Sequence, residues 1–124
     1  MIDVNTFEYK DSRWQDIFLH LKKKFDVYSP GMKTGECISE YLVVKNDGSS
    51  KHISFSTDVD LYSVMCYVPK ESYSSLEPLV QRVKEYMKEL EPMIIPYGNQ
   101  TPSYYDDNIK AHMISIEYKN YKKL

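Results

Sequence analysis

Apolar side chains recur at three- and four-residue intervals near the start of the chain: Trp14, Ile17, Phe18, Leu21 and Phe25. That spacing gathers all five on one face of a helix, which Asp11 or Ser12 can cap and which runs to about Phe25. Lys22, Lys23 and Lys24 fall at its C-terminal end, where the helix dipole favours positive charge. A basic triplet also suits nucleic acid, but a solvated, dipole-matched helix end accounts for this one. A second stripe is formed by Leu76, Leu79, Val80, Val83, Met87 and Leu90, with Gln81, Arg82, Lys84, Glu85, Lys88 and Glu89 on the wet side. Ser74 and Glu77 have capping-box spacing, Pro78 falls in the first turn where it costs little, and Pro92 ends the helix.

Between and after these stripes the period falls to two. Residues 37–45 read as a strand centred on Tyr41, Leu42, Val43 and Val44. Residues 46–50, Asn-Asp-Gly-Ser-Ser, carry the residue types of a tight hairpin turn. A strand is expected over 52–56, a short break over 57–60, and a third strand over 61–69. Both faces of the third strand carry sizeable side chains, so it belongs in the middle of a sheet. A short strand is expected over 93–97, a polar and aromatic loop over 98–108, and a long strand over 110–121 with His112, Ile114, Ile116 and Tyr118 on one face. The expectation is a single α+β domain over residues 1–124: a mainly antiparallel, four- to five-stranded sheet with two helices packed on one face.

Length and charge narrow the function. The chain has 124 residues, enough for one core without metals or disulfides. Sixteen basic and eighteen acidic residues leave a net charge of −2, which offers no general attraction to nucleic acid or anionic lipid. No apolar run is long enough to span a bilayer, and residues 1–10 lack the apolar stretch of a secretory signal. Cys37 and Cys66 are the only cysteines, so a reduced, cytosolic chain with two structural, unbridged thiols is expected. The twelve tyrosines suit strands, core margins and protein interfaces.

Candidate chemistry is sparse. His20, His52 and His112 lie in different elements without metal-ligand spacing. Neither Asp58-x-Asp60 nor Asp106-Asp107-Asn108 continues into a calcium loop with its central glycine and distal glutamate. Four glycines supply no phosphate loop, and there is no Gly-x-Ser-x-Gly elbow. A Cys66–His112 nucleophile–base pair is conceivable across strands, but a thiol within Val64-Met65-Cys66-Tyr67-Val68 reads as inert packing. A tyrosine-bearing sheet can stack RNA bases, yet the glycine–aromatic strand signature with flanking basic residues is missing. No catalytic residue, cofactor or metal is therefore expected, and the chain reads as a non-enzyme.

The stretch Cys37-Ile38-Ser39-Glu40-Tyr41-Leu42-Val43-Val44-Lys45-Asn46-Asp47-Gly48 resembles the first hairpin of tail-terminator and tail-completion proteins of tailed phages. Tyr97-Gly98-Asn99-Gln100-Thr101-Pro102-Ser103-Tyr104-Tyr105-Asp106-Asp107, followed by Lys110-Ala111-His112-Met113-Ile114-Ser115-Ile116-Glu117-Tyr118, resembles the C-terminal loop and strand of clostridial and bacillar prophage members. The resemblance implies a structural virion protein: a ring, commonly of six subunits, on the head-proximal end of the tail tube, which stops tube growth and docks the head connector. It implies the tube protein as partner, with sheath and head-connector proteins possible neighbours, and no cofactor, nucleic-acid-specific binding or membrane. It places the chain in the host cytoplasm during assembly and then in a virion tail or phage-derived bacteriocin particle. A ring subunit needs protrusions and a sheet margin more than a pocket. Hairpin tip and loop supply the candidate assembly interface: Asn46, Asp47, Tyr97, Asn99, Tyr104, Tyr105, Asp106 and Asp107. The competing reading is a small monomeric protein-binding or regulatory module.

Overall fold

A computed structural model describes residues 12–51 and 57–123 of the chain. The first helix, α1 (Trp14–Lys22), starts where Ser12 Oγ accepts the Trp14 N–H at 3.0 Å. Two further bonds tie this end to the sheet: Arg13 N–H donates to the Tyr62 hydroxyl and Trp14 Nε1–H to the Val44 carbonyl, both at 2.7 Å. The helix ends three residues before Phe25, because the N–H groups of Lys23, Lys24 and Phe25 turn back onto His20 and Leu21 carbonyls and tighten the last turn. Phe25 still packs against the core.

The chain then makes a two-residue strand, β1 (Val27–Tyr28), which pairs in parallel with β2 (Tyr41–Lys51). The sheet is therefore six-stranded and mixed instead of four- to five-stranded, although every pairing other than β1 with β2 is antiparallel, as a mainly antiparallel sheet requires; the two residues of β1 are too few to show a period. Residues 37–40 also precede β2 instead of belonging to it. They form part of a segment held across the sheet end by the Cys37 N–H to Ile109 carbonyl bond, 2.7 Å.

A second correction concerns residues 46–50. They do not reverse the chain: β2 runs straight through them and pairs antiparallel with β3 (Thr57–Pro69), from Tyr41↔Tyr67 to Lys51↔Asp58. The Asn-Asp-Gly signature is spent on a bulge. Gly48 adopts φ +97° and donates its N–H to Asn46 Oδ1 at 2.7 Å, so one extra residue is absorbed without a turn. Residues 57–60, expected as a break, are strand. The strand expected over 52–56 lies outside the described residues.

A 3₁₀ segment (Lys70–Ser75) leads into α2 (Leu76–Met87), and a 3₁₀ turn (Lys88–Leu90) follows it. No side-chain cap forms at Ser75, and Ser74 lies within the 3₁₀ segment, so the expected capping box is absent. Pro78 does fall in the first turn of α2. Three strands complete the sheet: β4 (Ile95–Gln100), β5 (Tyr104–Asp106) and β6 (Ala111–Lys123). The order is β1-β2-β3-β6-β4, with β5 also on β6. β3 is central, as its two-sided apolar pattern required. The loop expected over 98–108 is thus largely strand.

Both helices lie on one face. Ile17 and Leu21 from α1 and Leu76, Leu79, Val80, Val83 and Met87 from α2 share a single core with Leu42, Val44, Tyr62, Val64, Cys66, Ile114, Ile116 and Tyr118. Val64 and Cys66 are fully buried at its centre. No helix among the described residues is long and apolar enough to cross a membrane.

Candidate interaction face

Alternation along β2, β3 and β6 sends one set of side chains to the helices and the other to the opposite face. That second face is built in transverse rows fixed by the strand register. One row is Tyr41, Tyr67, Met113 and Tyr104; the next joins Val43, Met65 and Ser115; the next joins Lys45, Ser63 and Glu117; Leu61 and Lys119 follow. The face therefore grades from aromatic at one end to charged at the other.

The aromatic end is covered by residues of the same chain. Tyr41 stacks on Tyr67 (centroids 4.8 Å) and meets Tyr28 edge-on (5.7 Å), and Lys33 lies over Tyr28 and Tyr41 at 5.6 Å each. Cys37 and Ala111 are buried beside them. Burial pushes the Tyr41 and Tyr67 phenols above their usual range and raises the Cys37 thiol. A raised thiol is mostly protonated at neutral pH, so Cys37 is a poor nucleophile. Cys66, on the helix face, is pushed up to about 12 by burial; both thiols are free.

The candidate interface residues fall on two margins of the sheet. Asn46 and Asp47 sit in the β2 bulge, not at a hairpin tip. Asp47 accepts from the Ser63 hydroxyl and pairs with Lys45 Nζ at 3.7 Å. Tyr97 and Asn99 belong to β4 beyond β6: Lys119 Nζ lies 5.3 Å from the Tyr97 ring centroid, and Asn99 Nδ2–H donates to Glu117 Oε1 at 3.1 Å. Three strand spacings, roughly 14 Å, separate the two margins. Tyr104, Tyr105 and Asp106 form β5, and Asp107 follows in a turn where it accepts from Lys110 Nζ at 3.1 Å. Asp106 Oδ1 accepts the Asn108 N–H and so shapes that turn.

Tyr104 and Tyr105 part company because strand alternation turns one out and one in. Tyr104 is 59% exposed. The Tyr105 ring lies 4.9 Å from His112, which also meets Tyr73 at 4.7 Å and bonds the Lys70 carbonyl through Nε2. The Tyr105 hydroxyl is buried without a hydrogen-bond partner among the described residues.

On the helix side, an open groove of about 510 Å³ runs along α2. Phe25 and Tyr86 contribute its aromatic part, Lys24 lies 4.7 Å over the Tyr86 ring, and Arg82 is held by Glu40 at 3.1 Å. Nothing in the sequence singles out this groove: Phe25 belongs to the apolar stripe of the first helix, and Tyr86 belongs to neither the buried stripe nor the wet side of the second. Cys66 and His112 do not form a pair; the thiol is enclosed in the core while the imidazole is engaged by Tyr73, Tyr105 and Lys70. No cluster of three or more His, Cys, Asp or Glu side chains able to hold a metal occurs among the described residues. No protein-family model matches the chain, and no curated protein matches its sequence.

Proposed function

We propose that the chain is a structural subunit of a closed ring that caps the head-proximal end of a phage tail tube, stops its growth and offers the docking surface for the head connector. The reading starts from the resemblance of residues 37–48 and 97–118. The observation that carries it further is the placement of Asn46 and Asp47 at one margin of the sheet and of Tyr97, Asn99 and Tyr104 at the other. A closed ring needs a head-to-tail contact between two different patches, and two patches at opposite margins meet that geometry. Exposed Tyr97 and Tyr104 supply large anchors with few rotatable bonds.

The test is tail assembly with the gene deleted and supplied in trans. Wild-type chain should give tails of uniform length, Tyr104→Ala combined with Tyr97→Ala should give overlong or headless tails, and the double variant should melt within a few degrees of wild type. Uniform, headed tails without the chain would refute the proposal. The α2 groove favours the second reading, a monomeric protein-binding module; loss of partner binding on Tyr86→Ala with tail assembly intact would select it.

A further inference from the structure

Residues 29–40 connect β1 to β2 across the aromatic end of the sheet face that carries no helix. Both ends of this segment are fixed. Tyr28 pairs with Val43, Tyr41 opens β2, and the Tyr28 and Tyr41 rings meet at 5.7 Å. The segment thus leaves the sheet and returns to it at nearly the same place. A surface loop with closed ends can lift without parting the strands that carry it.

Little holds it down. Cys37 is its one buried residue, 3% exposed, whereas its large apolar side chains Met32 and Ile38 stand 69% and 78% exposed. Two of its hydrogen bonds are internal: the Met32 N–H to the Ser29 carbonyl and the Cys37 thiol to the Ser39 carbonyl. Among the described residues, one backbone bond, Cys37 N–H to the Ile109 carbonyl, ties it to the far side of the sheet. Lys33 over two phenol rings and the exposed Glu40–Arg82 pair add weak contacts. Against these stands the conformational freedom of the whole segment, including two glycines at positive φ, Gly31 and Gly35. The main core is held instead by both helices and by the unbroken β3–β6 pairing.

We propose that residues 29–40 form a strap that opens as a unit while the rest of the fold stays closed, uncovering the Tyr41–Tyr67 stack and the Cys37 thiol. Tyr41 and Tyr67 share their row with Met113 and Tyr104, and Tyr104 is already exposed. An open strap therefore turns one exposed tyrosine into an aromatic row across the sheet. Cys37 reports the event. Under the closed strap its thiol is enclosed and burial keeps it protonated; in the open form it regains an ordinary thiol's reactivity. A bulky group on Sγ does not fit back beneath the strap, so covalent capture of Cys37 holds the strap open. Cys66 lies in the helix-covered core and reports global unfolding instead. Opening of the strap belongs to the free chain and is independent of the ring reading.

Dithiobis-nitrobenzoate added to the purified full chain tests this. The Cys37 thiolate attacks the reagent's disulfide, a mixed disulfide forms, one thionitrobenzoate leaves as the coloured anion, and the thiol proton passes to buffer. Peptide mapping assigns each labelled thiol. Without denaturant, Cys37 should label about a hundredfold or more faster than Cys66. Its rate should rise with urea with a slope above zero and below that of Cys66, since a strap exposes more surface than one side chain and less than the whole core. Gly35→Ala strains the closed strap at φ +83°, although its Cβ meets open space, and should speed Cys37 about threefold without speeding Cys66. The chain labelled at Cys37 alone should keep a cooperative thermal transition. Equal rates and slopes at the two thiols overturn the proposal, because the strap then opens only with the whole fold. A zero slope at Cys37 overturns it too, because the thiol then escapes alone. So does loss of the cooperative transition when Cys37 is labelled.

Discussion

Tyr104 offers its ring to solvent while Tyr105 packs on His112 and buries a hydroxyl that has no hydrogen-bond partner among the described residues. Tyr104→Ala should therefore leave unfolding free energy within about 0.5 kcal/mol of wild type, as exposed substitutions do. Tyr105→Ala should lower it by about 1–3 kcal/mol through lost packing, whereas Tyr105→Phe, which deletes only the unpaired oxygen, should be neutral or stabilising. Denaturant titration of the three variants decides it; equal losses for Tyr104→Ala and Tyr105→Ala would contradict the assignment. Sequence presented the two as one aromatic pair, and only a strand at residues 104–106 separates them. The other phenols carry a pH consequence. Burial first, then nearby negative groups, raise Tyr41, Tyr67 and Tyr118 above the usual phenol value near 10. The folded chain keeps protons that the unfolded chain releases, so the stability linked to these groups is complete below pH about 10 and is lost as pH rises from there toward the folded values. Alkaline unfolding beginning above pH about 10 is expected, with these phenols ionising only as the fold opens. Tyrosine absorbance tracking a single native-state titration near 10 would refute this.

At the scale of elements, the long patterns were legible and the short ones were not. The stripes of α1 and α2 and the alternation of β3 and β6 each repeat several times over, and the body of each lies where the period put it, although α1 stops at Lys22 and β3 begins at Thr57. β1 has no period to read, and β5 has barely one. Residues 46–50 failed for a different reason: an Asn-x-Gly stretch with its glycine at positive φ serves a bulge as well as a hairpin, and local sequence does not say which. Asn46 and Asp47 thereby moved from a supposed tip to a sheet margin. The bulge also limits that margin. β1 pairs only with Leu42 and Val43, so the rest of β2 is an edge among the described residues, and it is guarded. Trp14 takes the Val44 carbonyl, Asn46 takes the Gly48 N–H, and Lys45 stands outward. Bulges and edge lysines are the usual defence against strand addition. Gly48→Ala meets open space, so its cost is conformational strain alone, about 1 kcal/mol. Thermal melting of the variant measures it, and an unchanged transition would mean that the bulge relaxes.

Over the whole molecule, the sheet is closed by a strand from far along the chain. β6 lies between β3 and the β4–β5 margin, and its register with β3 is unbroken from Thr57↔Lys123 to Pro69↔Ala111. The pair runs through the core, with fully buried Val64 and Cys66 facing Ile116 and Ile114. Backbone amides there should exchange with solvent only through global unfolding, while those of β1 and β4 exchange by local opening. Hydrogen exchange resolved by residue tests this, and faster exchange in the β3–β6 core than in β4 would contradict it. The same arrangement shapes the order of events during synthesis. β2 and β3 leave the ribosome together and can pair at once, but the other side of β3 stays open until α2, β4 and β5 have followed and β6 arrives. A nascent chain paused anywhere in that interval presents one long apolar strand with a bare row of amides and carbonyls. During that interval, translation speed and chaperone supply should bear on how much of the chain reaches the finished fold.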